Sequence, residues 1–528
     1  MPTDCITYQN SGYFSKLIID YLNEEQVLQS LYNHFPTIEN FQKQIDEKKK
    51  NYIGNRIVLI TTIENQYANF QISQTTKLNI ASLAKENTFT VTTGHQLNLF
   101  TGPLYFLYKI ISTINLCKQL QQEYPENNFV PIYWMATEDH DFEEINHFNF
   151  NARKIQWDKM VTGPVGRLST QGLDDVYEVF ASELGFSQNA EELKKLFTES
   201  YLQHPNLADA TRFLANELFG KYGLVIIDGD SIDLKKQFSS IIKDELLSQT
   251  SFQNVNETNK KLKEYTIPVN PREINLFYIE DNLRERILFE NGLYKINNTK
   301  LEFTEAEILK VLDLNPEKFS PNVILRPLYQ EVILPNLCYI GGGGEIAYWL
   351  QLKSNFEYHN VTFPVLLIRN SVLLATQKQN EKASKLNLSW NDLFANQQEL
   401  FNTKTKEFSK FSIDFSKQKE HLKLQFESLT QMTLETDKSF VGAVKAQEAK
   451  QIKGLENLEK RLLKAEKRVH KEALERIIHL QNELFPNQSL QERKLNFSEF
   501  YLEFGNDIIE KLIDNLEPLE QEFKVVIL

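Results

Sequence analysis

Through the first two thirds of the chain, short runs of consecutive apolar residues alternate with longer stretches of helical periodicity. Thr88-Phe89-Thr90-Val91-Thr92 reads as a strand, and an amphipathic helix is predicted from about Pro103 to Gln121. Val130-Pro131-Ile132-Tyr133-Trp134-Met135-Ala136, Leu224-Val225-Ile226-Ile227-Asp228 and Phe363-Pro364-Val365-Leu366-Leu367-Ile368 are further runs of strand length. Strands separated by helices predict a parallel sheet with crossover connections, hence a doubly wound α/β core over residues 1–370. Ligands in that architecture bind beyond the carboxyl ends of the strands. Residues 240–320 break the rhythm with mixed charge and a hairpin signal, Phe277-Tyr278-Ile279-Glu280, Asp281-Asn282 and Arg286-Ile287-Leu288-Phe289, and read as an insertion.

Proline is frequent up to Pro364 and absent from Ser371 to Phe485, where only Gly442 and Gly454 interrupt a run rich in Lys, Glu, Gln, Leu and Phe. That pattern predicts long helices, since proline inside a helix removes a hydrogen bond and clashes with the previous turn. Leu455, Leu458, Leu462, Ala465 and Val469 follow three-four spacing, and Ala473, Ile477, Leu480 and Leu484 continue it after a stutter. Phe408, Phe411, Phe415, Leu422, Phe426 and Leu429 form a bulkier stripe in the first arm. Residues 371–485 therefore read as an antiparallel α-helical coiled-coil arm that turns between Leu434 and Ala446. Such an arm either packs on the core or, with apolar side chains left over, pairs with a second copy. The tail, 486–528, with Ile508, Leu512 and Leu516 at helical spacing, is expected to return to the core.

At 528 residues the chain is long enough for several domains of about 100–200 residues each. Its formal charge of −13 disfavours nucleic-acid binding in general while leaving room for a local basic pocket. Three cysteines, Cys5, Cys117 and Cys338, form no close pair, so neither a disulfide framework nor a zinc site is indicated. With no signal-like N-terminus and no apolar stretch of membrane-spanning length, a cytoplasmic protein is expected, with no membrane partner.

Three segments carry candidate chemistry. In Thr92 to Pro103, Gly94, His95 and Gln96 lie between strand and helix. Pro103 suits a first helical turn, Thr101 or Gly102 can cap it, and the free backbone donors would bind an anion. A tight turn with a surface histidine is the plainer alternative. In the second, Glu138-Asp139-His140-Asp141 ends a strand, with Asn146 and His147 downstream. Carboxylates around a histidine there can hold an amine, bind a divalent metal or act as a general base, or they form a solvated acidic helix start. No spacing matches a strong metal signature. The third joins Arg326-Pro327 and Gln330 to Gly341-Gly342-Gly343-Gly344-Glu345 and Tyr348. Its glycines allow close backbone approach to a ligand or merely make a flexible turn. Neither a P-loop nor a dinucleotide fingerprint is present, and Cys338 reads as a small buried residue rather than a nucleophile.

Taken together, these segments resemble the bacillithiol biosynthesis cysteine-adding enzyme family, the BshC cysteine ligases. The likeness rests on Thr93-Gly94-His95-Gln96 with Thr101-Gly102-Pro103-Leu104-Tyr105, on Glu138-Asp139-His140-Asp141 with Glu143, Ile145, Asn146 and His147, and on Leu325-Arg326-Pro327 through Gly344-Glu345-Ile346-Ala347-Tyr348-Trp349. The proline-free insert and Leu490-Gln491-Glu492-Arg493 fall where the family has them. Gly343 departs from the proline of many members. The resemblance implies a Rossmann-like core with connecting-peptide insertions, a coiled-coil homodimer, and amide-bond joining of cysteine to glucosaminyl-malate.

The chemistry of such a reaction makes His95, Glu138, Asp139, His140 and Asp141 the expected catalytic residues. Gly94, Gln96, Thr101, Gly102, Asn146, His147, Arg326, Gln330, Gly341, Gly342, Glu345 and Tyr348 would bind substrate. His95, Gln96, Arg326 and the helix from Pro103 are expected to face the malyl carboxylates. Glu138, Asp139 or Asp141 would face the cysteine ammonium, with His140 as general base. ATP or another nucleotide is implied as the activating donor, and Trp390 with Asp392 would stack a purine or simply cap and pack a helix. Nucleotidyl transfer to another acceptor, or a non-catalytic scaffold built on the coiled coil, are the competing readings.

Overall fold

The computed structural model describes residues 4–435 and 439–528. Two units partition the chain. The first comprises Tyr13–Leu373 and Leu490–Val526 with the N-terminal segment up to Gln9, and the second Leu374–Ser489 with Asn10–Gly12 and Ile527–Leu528.

In the first unit, five strands form an all-parallel sheet: β1 (Thr88–His95), β2 (Asn128–Met135), β3 (Val225–Asp228), β4 (Asn336–Gly341) and β5 (Val365–Ile368). Their order across the sheet is β5-β4-β1-β2-β3. Helices α1 (Tyr105–Glu123), α2 (Ile232–Ser248), α3 (Arg326–Ile333) and α4 (Gly343–Trp349) lie on the connections. Sheets covered on both faces need strands that are apolar throughout rather than alternating, which is why Val225-Ile226-Ile227 and Val365-Leu366-Leu367-Ile368 read as unbroken runs. Chain progression runs β1 to β3 in one direction and restarts at β4 on the opposite side of β1. The switch point therefore lies between β1 and β4, where a doubly wound sheet opens a crevice at its carboxyl edge.

Strand β4 is the element that apolar-run reading missed. It begins with Asn336, whose Oδ1 accepts from Thr90 and Thr92 of β1 at 3.2 and 2.8 Å and whose Nδ2 donates to Glu331 at 2.6 Å. Only partners from other segments make this polar strand start tolerable in the interior. Cys338 is fully buried in β4, and burial pushes its thiol well above the ordinary range, in keeping with a packing role. The 240–320 region contains an antiparallel sheet that includes the hairpin Leu276–Glu280 with Leu283–Glu290, and Phe319–Pro321 pairs with its first strand. Residues Leu490–Val526 belong to the first unit, where Leu495 accepts a backbone hydrogen bond from Leu104.

In the second unit, α5 (Ser416–Leu434) packs against α6 (Ser439–Val469), and Lys419 pairs with Glu459 across them at 2.5 Å. The predicted turn falls partly on residues 436–438, which lie outside the described residues. Helix α7 (Lys471–Leu484) follows after a break at His470, next to the stutter in the apolar spacing. The first-arm stripe does not form one helix: the chain leaves helical geometry between Phe408 and Ser416, where Asp414 accepts from the backbone and hydroxyl of Ser416, and Phe411 is exposed. Among the described residues, no helix is long and apolar enough to cross a membrane.

Candidate active site

At the switch point, β1 ends in Gly94-His95 and β4 runs into Gly342-Gly343-Gly344, and these segments line one cavity of about 1170 Å³. Lys109, from the first turns of α1, donates to the Gly94 carbonyl at 2.8 Å and pairs with Glu345 of α4 at 2.5 Å. Glu345 also accepts from the Tyr339 hydroxyl at 2.7 Å and the Gly342 N–H at 2.9 Å. Burial alone would raise this carboxyl, but Lys109 and the other donors outweigh it and hold it below its ordinary value. A side chain at Gly341 would meet Glu345 Cβ at 2.9 Å, and one at Gly94 would meet the Tyr339 hydroxyl at 3.2 Å and Arg326 Nη1 at 3.7 Å. These two glycines let α3, β4 and α4 close over the end of β1. Arg326 is hydrogen-bonded to neutral groups, Tyr348 at 3.2 Å and Gln330 at 3.1 Å.

His95 is 6% exposed and lines the cavity, edge-on to Tyr105. Burial, then Lys109 and Arg369, hold its imidazole well below its ordinary range, so it is neutral at pH 7. Across the cavity, Gln96 donates to Asp139 at 2.9 Å and to Glu144 at 2.8 Å, drawing two carboxylates together. Glu138 lines the same wall but pairs with the buried Lys235 of α2, which also reaches Asp230 at 3.5 Å. Burial pushes the Glu138 carboxyl up and Lys235 opposes it.

Several expected site residues lie elsewhere. After Asp139 the chain makes an Asx turn, with Asp139 Oδ1 accepting from the backbone of His140 and Asp141, and the next two side chains leave the cavity wall. His140 accepts from Arg284 at 2.7 Å through Nδ1, and Asp141 is exposed. Burial, then Arg284, lower the His140 pKa. Asn146 and His147 bond to each other at 3.1 Å at the start of a hairpin, off the cavity. Thr101 and Gly102 do not line it either. Both have positive φ, Asn496 bonds the Gly102 carbonyl at 2.6 Å, and α1 starts at Tyr105 without a side-chain cap. The first N–H groups of this turn go to Leu495, Pro103 and Leu104, so the expected anion site at the helix start is filled by backbone. Gln330 and Gly341 support Arg326 and Glu345 from behind rather than lining the cavity. Trp390 and Asp392 belong to the second unit, where Trp390 is buried and Asp392 caps its helix and pairs with Lys404 at 3.1 Å, which is the cap-and-pack alternative.

Sequence reasoning missed Lys109, Glu144, Tyr339, Arg369 and Arg493, and the insertion residues Arg272, Arg284 and Arg286, all on the lining. Lys109 had a signal: one basic residue inside the apolar run Tyr105 to Leu116. Arg369 had another, directly following an apolar strand at the carboxyl edge of the sheet. For the insertion arginines no local signal exists.

Two family models match the chain: "Bacillithiol biosynthesis BshC, N-terminal Rossmann-like domain" over residues 1–370 and "Bacillithiol biosynthesis BshC, C-terminal coiled-coil domain" over 372–528. A protein of Flavobacterium psychrophilum named "Putative cysteine ligase BshC" is 66% identical over 100% of this chain and 99% of its own. Proteins of the same name from Flavobacterium johnsoniae and Christiangramia forsetii are 64% and 57% identical, covering 100% of this chain and 100% and 99% of theirs.

Proposed function

The chain belongs to the BshC family of bacillithiol biosynthesis, and from that premise we propose that it is a ligase joining L-cysteine by an amide bond to glucosaminyl-malate. The observation that carries this reading is the convergence of His95, Asp139 and Arg326 on one cavity at the switch point of the sheet. An amide forms between an amine that has lost its proton and a carboxylate that has been activated, so both kinds of charge must be held side by side. Arg326 and the neutral His95 face substrate carboxylates, and Asp139 with Glu144, bridged by Gln96, face a substrate ammonium group. Asp139 takes the amine proton in place of His140, whose Nδ1 is occupied by Arg284.

The lining also fits a nucleotide, since Arg272, Arg286 and Arg493 add cations that suit phosphate oxygens. A bound nucleotide would supply the activating group that makes a carboxylate oxygen a leaving group. Apolar residues exposed on the arm, among them Leu424, Leu458 and Val469, support a homodimer through the coiled coil. Cells lacking the gene are expected to accumulate glucosaminyl-malate and lose bacillithiol, measured by chromatography of labelled thiols. Copies carrying His95→Ala or Asp139→Asn should restore about 100-fold less thiol-forming activity than the wild type. Unchanged thiol levels in the deletion strain reject the reading.

A further inference from the structure

Two residues of the cavity lining each carry a buried polar atom with no hydrogen-bond partner among the described residues, His95 Nε2 and Arg369 Nε. Interiors rarely leave such atoms unsatisfied, because the lost solvation is not repaid. Arg369 follows directly after β5, at the carboxyl edge of the sheet, and its side chain is 5% exposed. Its remaining nitrogens are committed. Nη2 and Nη1 donate to the two oxygens of Glu492 at 2.6 and 3.1 Å, and Nη1 also reaches the Asn370 carbonyl at 2.9 Å. Glu492, 1% exposed, is fixed in turn by the Val372 N–H at 3.1 Å. This two-point pairing sets the guanidinium plane, leaving Nε–H as the unpartnered donor of a residue on the cavity lining. The same guanidinium lies 5.3 Å from the centre of the Tyr105 ring, which His95 approaches from its own side at 5.4 Å. A side chain at Gly342 would begin 3.6 Å from Glu345 Oε2 and 3.9 Å from Arg369 Nε, so this glycine lies beside both groups.

The surrounding charge selects the ligand. Glu345 pairs with Lys109 and Glu492 with Arg369, whereas Arg326, with Glu345 in its neighbourhood, forms no ion pair among the described residues and donates to the neutral Gln330 and Tyr348. A ligand that accepts from Arg369 Nε–H and balances Arg326 is an oxyanion. We propose that Arg369 anchors an oxyanion subsite on the β5 side of the cavity, taking a carboxylate or phosphate oxygen, and that Glu492 is the positioning residue that aims it. The proposal rests on reading this cavity as the ligase substrate site. Glu492 lies 123 positions from Arg369, so the segment after the helical arm completes the site.

Titration calorimetry of the full-length protein with L-malate and, separately, with ATP tests the subsite. Glu492→Gln removes the carboxylate charge, and Arg369→Lys keeps the charge but lacks Nε–H. Each is expected to weaken one of the two anions at least tenfold while changing the other less than twofold, and Glu492→Asp should recover part of the loss. Loss of malate identifies a carboxylate, and loss of ATP identifies a phosphate. A structural role alone would not move the second readout, the 15N–1H spectrum of arginine side chains. There the Arg369 Nε–H resonance, assigned by its absence in Arg369→Lys, should shift downfield when the bound anion saturates the wild type. A resonance that stays in place with both anions, or variants that bind both as the wild type does, overturn the subsite. Bacillithiol persisting in the deletion strain would instead overturn the ligase reading and leave the resonance shift untouched.

Discussion

His95, Glu138 and Glu499 are individual residues whose surroundings reverse what their types suggest. His95 is a histidine kept neutral by burial and neighbouring cations, and Glu138 is a carboxylate whose charge is taken up by Lys235. Among the described residues Glu499 accepts only the Asn151 N–H, at 3.1 Å, and burial pushes its carboxyl up to about 7 from an ordinary 4.5. A raised carboxyl pKa means that the folded chain holds the proton more tightly than the unfolded one. The associated stability is complete below pH 4.5 and is lost as pH rises to about 7. Glu499→Gln should therefore match the wild type in urea unfolding at pH 4 and exceed it at pH 8 by about 2 kcal/mol, allowing for partial exposure. Equal stabilities at pH 8 would refute this account.

Among the elements, the helical arm separates spacing from burial most clearly. Phe411 and Ile477 both belong to apolar stripes legible in the sequence, yet Phe411 is 49% exposed in a non-helical link and Ile477 is 0% exposed in α7. Truncating Phe411 to Ala is expected to cost less than about 0.5 kcal/mol, whereas Ile477→Ala should cost about 2–5 kcal/mol, both read from denaturant midpoints. Similar costs at the two positions would mean that the link is packed. Strand β4 makes the complementary point, because the polar residue at its start is paired by Glu331, five positions earlier, and by Thr90 and Thr92 of β1, more than 240 positions away.

On the scale of the whole molecule, strand order places the cavity, since a sheet that restarts beside its first strand opens at that seam. The homodimer proposed through the arm has a direct test: deleting Glu381–Asn482 should convert a dimer into a monomer by light scattering, and a dimer that survives the deletion excludes the arm as its interface. Much of this organisation was legible beforehand. Three of the five core strands appear as apolar runs and β1 as the alternating Thr88-Phe89-Thr90-Val91-Thr92, and the segments carrying His95 and Asp139 follow two of these, while Arg326 stands in a segment ahead of the glycine run. The remainder was hidden for a physical reason. Whether His140 faces the cavity depends on an Asx turn that redirects the chain, and whether Glu138 is available depends on Lys235, 97 positions away. Periodicity and turn chemistry act between neighbours, so the sequence by itself determined the elements and the segments that reach the strand ends. Side-chain direction, charge compensation and solvent exclusion arise between distant segments, so only the tertiary structure decided that Lys109, Glu144 and Arg369 line the cavity while His140, Asp141 and Thr101 do not.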